Sequence, residues 1–391
     1  MKKMYKDRLC SGWSISHITA GLAAIIVGYT CSVVIVIEAV KAVGATTEQI
    51  SSCLFALGIL MGITTISYSL AYRTPILTAW STPGAAMLIG SVHGYTIYEM
   101  IGACIASAFL ILLTGMTGTL NKLLQKIPTE ISTAMLAGVL LPFGIKAFTP
   151  IATAPALFGG MFLSYLIGRR FMPRYTMLLL LCSGLVIAYT SGGLDVSSVN
   201  FTPSYPVFIA PQWNLQAILS LGIPLYLITM ISQNLPGIVM LTSHHYKAPV
   251  SKILAGTGIM NMLFAPIGGL TCNLAAITAG ICMGEEAGHR HDKRYLAAVS
   301  GGLFYLLAGI GGASIVALFT AMPEELTQML AGFALIGTIL MCFQEAMKTP
   351  SKREAALVTL LITTSGISYI GISSTLLGIC GGCLIDKILK K

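Results

Sequence analysis

The chain alternates long uncharged stretches with short segments that carry its charges. Stretches without Asp, Glu, Lys or Arg cover 49–72, 100–121, 196–246, 253–284 and 295–323. Each is long enough for one or two membrane crossings, because a bilayer core of roughly 30 Å takes about 20 helical residues. In lipid every backbone amide needs an internal hydrogen-bond partner, so segments that face lipid are expected to be helices. The pattern predicts an all-α polytopic membrane protein.

About fourteen transmembrane segments fit between the charged positions. The predicted segments cover 14–40, 49–72, 76–92, 97–120, 129–145, 150–168, 175–191, 217–242, 249–265, 270–284, 295–320, 325–344, 354–367 and 369–386. The last uncharged stretch, 355–385, is short for two full crossings, which need roughly 40 residues. It predicts a short helical hairpin that is buried in protein and has Ser365 and Gly366 near its bend.

Composition and charge placement agree with a membrane protein. Only 9% of the 391 residues are charged and 55% are hydrophobic, which excludes a soluble α/β domain. The net charge of +9 is compatible with nucleic-acid binding, but the charges sort by membrane side. With the N-terminus inside, all of the 23 Lys and Arg residues except Lys41 and Lys146 fall at predicted inner ends. This bias predicts cytoplasmic termini and no nucleic-acid partner.

The two halves of the chain show a weak internal similarity. The segment that starts at Pro75 aligns with the segment that starts at Pro266, and the alignment also pairs Ile76 with Ile267. Seven segments in each half would insert the second half upside down, as in many carriers. We therefore expect a single transmembrane transporter domain over 1–391, with repeat one at about 10–195 and repeat two at about 210–388.

Both aligned segments contain Pro and Gly near their start, which predicts broken helices. A half-helix that begins at membrane depth turns free amides and a positive dipole end toward an anion. The alternative is a packing kink, where small residues let neighbouring helices approach closely.

Four motifs resemble the benzoate transporter family called BenE. They are RTPILTAWSTPGAA at 73–86, MISQNLPGI at 230–238, AAITAGIC at 275–282 and QMLAGFAL at 328–335. The resemblance implies a benzoate:proton symporter of the bacterial inner membrane. We further expect an alternating-access mechanism, no cofactor and a possible homodimer. It also implies the fold of the uracil and nucleobase–ascorbate permeases. In that fold two inverted seven-segment repeats form core and gate domains, and segments three and ten pair as short strands at mid-membrane.

The resemblance places the substrate pocket on segments one, three, eight and ten. Its residues would be Gly28, Tyr29, Thr30, Trp80, Ser81, Thr82, Ser232, Gln233, Asn234, Thr271, Cys272 and Asn273. Asn273 and adjacent amides would bind the carboxylate, with Ser81 and Thr82 doing the same from segment three, while Trp80 or Tyr29 would cover the aromatic ring. The alternative is that these polar side chains join helices to one another, and that Trp80 is a packing anchor.

Proton coupling has no obvious carrier in the sequence. Uracil permeases place acidic residues on segments eight and ten, whereas this chain has Ser232 or Gln233 and Cys272 there. Either the substrate carboxylate arrives protonated, or a terminal group titrates as the gate moves. The candidates are Glu130, His17 and His93, although a lone His is also a common helix-end hydrogen-bonding residue.

Other functions find less support in the sequence. The loop 285–294 mixes His and acidic residues, but its Lys and Arg residues would repel a cation, so we expect no metal site. A carrier of another small anion or of a nucleobase remains an alternative, because pocket polarity alone does not separate these substrates. A membrane enzyme or receptor without transport is disfavoured, since no catalytic cluster lies at mid-depth.

Overall fold

The computed structural model describes residues 13–92, 94–118, 128–194, 202–367, 369 and 373–389. Its longer helices in the first half are α1 (Ile15–Lys41), α2 (Thr47–Tyr72), α3 (Thr82–Ser91), α4 (Ile97–Thr117), α5 (Thr129–Lys146), α6 (Pro155–Phe171) and α7 (Thr176–Thr190). In the second half they are α8 (Leu215–Ser243), α9 (Val250–Phe264), α10 (Ile277–Met283), α11 (Tyr295–Ile310), α12 (Gly312–Ala321), α13 (Glu324–Ala346), α14 (Arg353–Thr364) and α15 (Ser374–Leu389). Six helices among the described residues are long and apolar enough to cross a membrane, or eight if two bent pairs each count as one span. The prediction of a helical polytopic protein is confirmed.

Helix α1 bends by 44° between its halves Ile15–Thr30 and Ser32–Lys41. Two hydroxyls near the bend return to the carbonyls of the preceding turn: Thr30 Oγ1 donates to Ile26 O at 2.8 Å, and Ser32 Oγ donates to Gly28 O at 2.9 Å. Such back-bonding competes with the helix ladder and commonly bends helices. The bend lies beside the candidate site described below.

Two short strands interrupt the helical bundle. Strand β1 (Thr78–Trp80) pairs antiparallel with β2 (Cys272–Leu274), with Ala79 opposite Asn273. Helix α3 begins two residues after β1, and helix α10 begins three residues after β2. Because irregular backbone is tolerated at membrane depth only inside protein, the burial of both strands fits a lipid-embedded bundle.

Side chains from neighbouring helices satisfy the strand backbone. On α9, Asn261 Nδ2 donates to Cys272 O at 2.9 Å while Asn261 Oδ1 accepts from Cys272 N at 2.8 Å. On α2, Thr65 Oγ1 accepts from Thr78 N at 3.0 Å. A buried amide left without a partner costs about 1–3 kcal/mol, so these residues hold the strands in place.

The helices form two groups. The strand-bearing group contains α1–α4, α8–α12 and both strands, and the companion group contains α5–α7 and α13–α15. Within the first group α2 packs on α11 where Gly58 meets Gly309, and a Cβ on Gly58 would overlap the Gly309 backbone. Small residues of this kind let membrane helices approach closely. The groups meet where α1 contacts α13 and α7, and where α3 contacts α5.

The predicted C-terminal hairpin is present as α14 and α15, which pack against each other and against α5. Helix α14 ends at Thr364, and Gly366 has a positive φ of 67° that favours glycine. The prediction that this hairpin is buried in protein is wrong at its bend, because Ser365 and Gly366 are exposed. The hairpin packs through its helix faces, which leaves its bend at the surface.

Candidate functional site

A central cavity of about 550 Å³ lies between the two helical groups. Small-molecule sites commonly have volumes of about 300–1,000 Å³. The lining is formed by Val27, Gly28, Ser32, Ala79, Trp80, Thr82, Pro83, Thr133, Leu136, Ile231, Ser232, Gln233, Pro236, Ala275, Ala276, Thr278, Tyr305, Ala334, Leu335, Thr338, Met341, Cys342, Gln344 and Glu345. The cavity reaches the molecular surface at Met341 and Gln344, which are both exposed.

The start of α3 faces the central cavity. Ser81 caps the helix by accepting a hydrogen bond from Gly84 N at 3.0 Å, and Thr82 and Pro83 line the cavity. Amides in the first turn of a helix have no acceptor within the helix, and the dipole makes this end positive. Ala276 and Thr278, at the start of α10, line the same cavity. No Lys or Arg belongs to the described lining, so an anion there would be held by amides, hydroxyls and dipoles.

Trp80 and Tyr305 form an aromatic part of the wall. Trp80 Nε1 donates to Ser32 Oγ at 2.8 Å, which fixes the indole against α1. Its ring meets Tyr29 edge-on, with ring centroids 4.7 Å apart, and Tyr29 lies 6.2 Å from Tyr305 by the same measure. These contacts fix a flat apolar surface that an aromatic ligand can pack against.

Helix α8 brings Ser232 and Gln233 to the cavity through a π-helical turn over Met230–Asn234. Pro236 lacks an amide hydrogen and its ring clashes with the carbonyl four residues earlier, which explains a widened turn at this point. Ser232 Oγ donates to Ile228 O at 2.7 Å. Gln233 has no hydrogen-bond partner among the described residues, so its carboxamide is available to a ligand.

Five of the predicted pocket residues line the central cavity, namely Gly28, Trp80, Thr82, Ser232 and Gln233. The structure does not bring the others to the wall: Tyr29, Thr30, Ser81, Asn234, Thr271, Cys272 and Asn273 lie outside the lining.

The two buried asparagines among them form a layer behind the wall. Asn234 Nδ2 donates to Asn273 Oδ1 at 2.9 Å, and Asn234 Oδ1 accepts from Leu274 N at 3.1 Å. Both side chains are fully buried. In this conformation they support β2 and do not face the cavity.

The companion group supplies lining residues that sequence reasoning missed. Thr338, Met341, Cys342 and Glu345 occupy positions i, i+3, i+4 and i+7 of α13, which place them on one helix face. Tyr305 on α11 was also missed. The helical period is the only sequence signal for the α13 residues, and every packed helix shares it.

The candidate proton carriers do not line the central cavity. Glu130, on α5, accepts hydrogen bonds from Thr349 Oγ1 at 2.6 Å and Lys352 Nζ at 3.1 Å. His17 Nδ1 accepts from Ser14 N at 3.0 Å at the start of α1, and the ring is buried. His93 lies outside the described residues.

One carboxylate belongs to the described lining of the central cavity. Glu345 lies at its surface end, where Lys348 Nζ is 3.1 Å from Glu345 Oε1. In the loop 285–294, Arg290 Nη2 pairs with Asp292 Oδ2 at 2.8 Å. The described residues contain no group of three or more His, Cys, Asp or Glu side chains placed to hold a metal ion.

A second cavity of about 360 Å³, here called the distal cavity, lies at the other end of the same interface. Its lining uses later positions on α1 and α5 and earlier positions on α13, including Val34, Phe143 and Ala331. The intervening residues are apolar: Val33 on α1, 137–142 on α5 and 332–333 on α13. At a helical rise of 1.5 Å per residue, the barrier between the cavities is about 3 to 5 Å thick along α1 and α13. On α5, Gly138, Val139 and Pro142 line a third cavity of about 310 Å³.

Sequence comparison relates this chain to membrane transport proteins. The profile of the BenE family, described as benzoate membrane transport protein, matches residues 11–388. The inner membrane protein YdcO of Escherichia coli (strain K12) is 41% identical over 371 residues, covering 95% of each chain. The benzoate membrane transport protein of Acinetobacter baylyi (strain ATCC 33305 / BD413 / ADP1) is 39% identical over 379 residues, covering 97% of this chain and 96% of the relative.

Two solved structures share the fold at low sequence identity. The transmembrane domain of the cyanobacterial bicarbonate transporter BicA aligns with a TM-score of 0.60 at 16% identity, covering 94% of this chain and 97% of that domain. SLC26A9 aligns with a TM-score of 0.63 at 10% identity, covering 95% of this chain and 65% of that protein.

Proposed function

Because the chain belongs to the BenE family of benzoate membrane transport proteins, we propose that it is a secondary carrier that moves benzoate, or a closely similar aromatic carboxylate, together with a proton. Family membership makes the protein a membrane transporter and not an enzyme. The substrate, the proton coupling and the alternating-access mechanism are the content of the proposal.

The central cavity is the observation that carries the proposal. It combines the positive end of α3 and the Gln233 carboxamide with the aromatic surface of Trp80 and Tyr305. A carboxylate that leaves water needs hydrogen bonds in exchange, whereas a benzene ring needs apolar contact. The described lining offers both, and it does so without a Lys or Arg residue that would hold the anion too tightly for release.

The positions of the two cavities support alternating access. They lie at opposite ends of the interface between the strand-bearing group, which we propose as the core domain, and the companion group, which we propose as the gate domain. A small displacement of the groups would close one cavity and join the other to the substrate. The arrangement supports two inverted repeats, at about 10–195 and 210–388, with fourteen segments.

The charge pattern orients this cycle in the bacterial inner membrane. The open end of the central cavity lies near Lys348, on the side that the positive-inside bias predicts to be cytoplasmic together with both termini. The distal cavity would then face the periplasm. With this orientation, the proposal assigns the described conformation to the inward-facing stage of the cycle.

For the proton, two routes remain in the proposal. Benzoate binds as the neutral acid, so that substrate and proton cross together, or a side chain titrates during the cycle. Glu130, His17 and His93 remain the candidates for the second route. Glu130 and its partners Thr349 and Lys352 all belong to the companion group, so titration of Glu130 during the cycle would require a rearrangement within that group.

Uptake of labelled benzoate into proteoliposomes tests the proposal. Gln233→Ala removes a carboxamide from the cavity wall and is expected to raise KM, and Asn273→Ala is expected to lower uptake by loosening β2. Gln216→Ala, at an exposed position on the same helix α8, is the matched control and is expected to transport like wild type. Unchanged transport by both Gln233→Ala and Asn273→Ala would reject the site.

Competition in the same assay separates the alternative substrates. Aliphatic carboxylates and nucleobases should compete weakly if Trp80 and Tyr305 recognise an aromatic ring beside a carboxylate. A nucleobase that displaces benzoate completely at lower concentration would favour the nucleobase alternative.

A further inference from the structure

The distal cavity brings together the two basic residues that the charge pattern places apart from all others. Lys41 and Lys146 are the only Lys or Arg residues of the chain that fall at predicted outer ends. They lie on different helices and more than one hundred positions apart, yet both line the distal cavity. The membrane side predicted for each charge and the lining of the distal cavity are independent observations, and both single out Lys41 and Lys146.

The two lysines differ in their pairing. Lys41 Nζ lies 3.2 Å from Glu38 Oε1, and both side chains are partly exposed. Lys146 forms no ion pair among the described residues, and it also lines an adjacent cavity of about 310 Å³. The other acidic residue of the distal lining, Glu324, accepts a hydrogen bond from Gln328 Nε2 at 2.7 Å. Lys146 is therefore the cation that is available to an incoming anion.

A helix-capping role explains part of this arrangement. Both lysines lie in the last turn of their helices, where a cation stabilises the helix by about 0.3–1 kcal/mol. That role does not require the two helix ends to share a cavity, nor does it require the cavity to lie on the interface between the two groups. Capping therefore leaves the convergence of the lysines unexplained.

We propose that the distal cavity is an anion-capture vestibule in which Lys146 binds the carboxylate of the substrate before the apolar barrier opens. Lys41 is a second, weaker contact because Glu38 competes for it. This inference rests on the proposed function, since it takes the transported aromatic carboxylate as the ligand. Lys146 gives the anion a charged contact at the distal entrance, and the central cavity then selects it.

Lys146 and Glu38 are expected to have opposite effects on anion capture. Removing the charge of Lys146 weakens capture, whereas removing the charge of Glu38 frees Lys41 and strengthens it. Lys146 is exposed and Glu38 is partly exposed, so salt screens both effects over a Debye length of about 8–10 Å near physiological ionic strength. A role confined to helix capping predicts no improvement from Glu38→Gln.

Initial rates of labelled benzoate uptake in right-side-out and inverted membrane vesicles test the inference. For entry from the distal side at low salt, Lys146→Gln is expected to raise KM about threefold to tenfold with little change in kcat, in line with the effect of electrostatic steering on association. Glu38→Gln is expected to lower KM, and Lys146→Arg to keep the wild-type value. Raising the salt concentration should reduce these differences, and entry from the opposite side should not show them.

Lys387→Gln is the matched control, because Lys387 also lies in the last turn of a helix but lines neither cavity. It is expected to leave KM unchanged. If wild type transports benzoate but neither Lys146→Gln nor Glu38→Gln changes KM, the vestibule is rejected and the proposed function stands. If wild type shows no saturable benzoate uptake, the proposed function fails and the vestibule fails with it.

Discussion

Strands β1 and β2 both bury backbone groups that need hydrogen-bond partners, and different types of side chain supply those partners. Hydroxyl groups hold β1: Thr65 Oγ1 accepts from Thr78 N, and Thr64 Oγ1 lies 2.7 Å from Thr78 Oγ1. Carboxamides hold β2, where Asn261 bonds both backbone groups of Cys272. One carboxamide supplies a donor and an acceptor at fixed spacing, so it satisfies two backbone groups at once. Asn234 Oδ1 also accepts from Leu274 N, but loss of Asn261 alone leaves two β2 backbone groups unpaired, so we infer that β2 is the more vulnerable strand.

The half-helices that follow the strands also differ in how they are stabilised. Helix α3 has ten residues and a Ser81 cap, whereas α10 has seven residues and no side-chain cap. The first half-helix is therefore stabilised locally, while the second depends on what surrounds it. Three substitutions test this contrast.

Asn261→Leu is expected to have the largest effect. It keeps the branched shape of the side chain but leaves Cys272 N and Cys272 O unpaired, at about 1–3 kcal/mol for each buried group. Thermal inactivation of the purified protein in detergent should occur at clearly lower temperature, and benzoate uptake should fall. A variant as stable as wild type would show that Asn261 does not hold β2.

Thr65→Val is expected to have a smaller effect, because only one backbone group, Thr78 N, loses its acceptor, at about 1–3 kcal/mol. The Thr78 hydroxyl loses its contact with Thr65 Oγ1 at 2.9 Å but keeps Thr64 Oγ1 as a partner. Thr65→Ser retains the hydroxyl and is the control. The same thermal assay ranks both variants against Asn261→Leu. If Thr65→Val destabilises the protein more than Asn261→Leu does, the proposed difference between the strands is reversed.

Ser81→Ala should have the smallest effect on stability, since loss of a helix N-cap costs about 0.5–2 kcal/mol. The free Gly84 amide remains close to the cavity, so we expect a modest change in KM for benzoate. Ser81→Asp restores a cap but adds a negative charge beside the substrate carboxylate. It should regain stability while losing uptake, and regaining both would argue against an anion at the start of α3.

The sequence predicts the helices well because charged residues mark their ends. The segment predicted over 97–120 is observed as Ile97–Thr117, and the one predicted over 14–40 as Ile15–Lys41. In lipid a charge is costly away from an interface, so the charge pattern and the helix boundaries report the same physical constraint. The strands give no comparable signal, because three residues of extended backbone leave no periodicity.

The alignment of the halves explains why Asn273 does not lie where it was expected. Pairing Pro75 with Pro266 makes Asn273 the counterpart of Thr82, which lines the cavity at the start of α3. The second half has a longer approach to its strand, through the turn at Gly268 with φ of 93°. Asn273 therefore lies within β2, paired opposite Ala79, and the residues that reach the cavity come later in the chain. An alignment based on residue identities alone does not reveal that extra turn.

The cavity residues of the companion group could not be predicted from the sequence for a different reason. Pro and Gly motifs direct attention to the broken segments, whereas the α13 face that contains Thr338 and Cys342 follows an ordinary helical period. Only the packing of α13 and α5 against the strand-bearing group identifies it as a cavity wall.

The central claim is proton-coupled transport of an aromatic carboxylate through the central cavity. The most direct test is the internal pH of proteoliposomes after external addition of benzoate, compared with protein-free liposomes and with Gln233→Ala. The account predicts acidification that is faster than passive permeation of benzoic acid, saturates with benzoate concentration and is slowed in Gln233→Ala. Acidification at the protein-free rate for wild type, at every benzoate concentration, would contradict it.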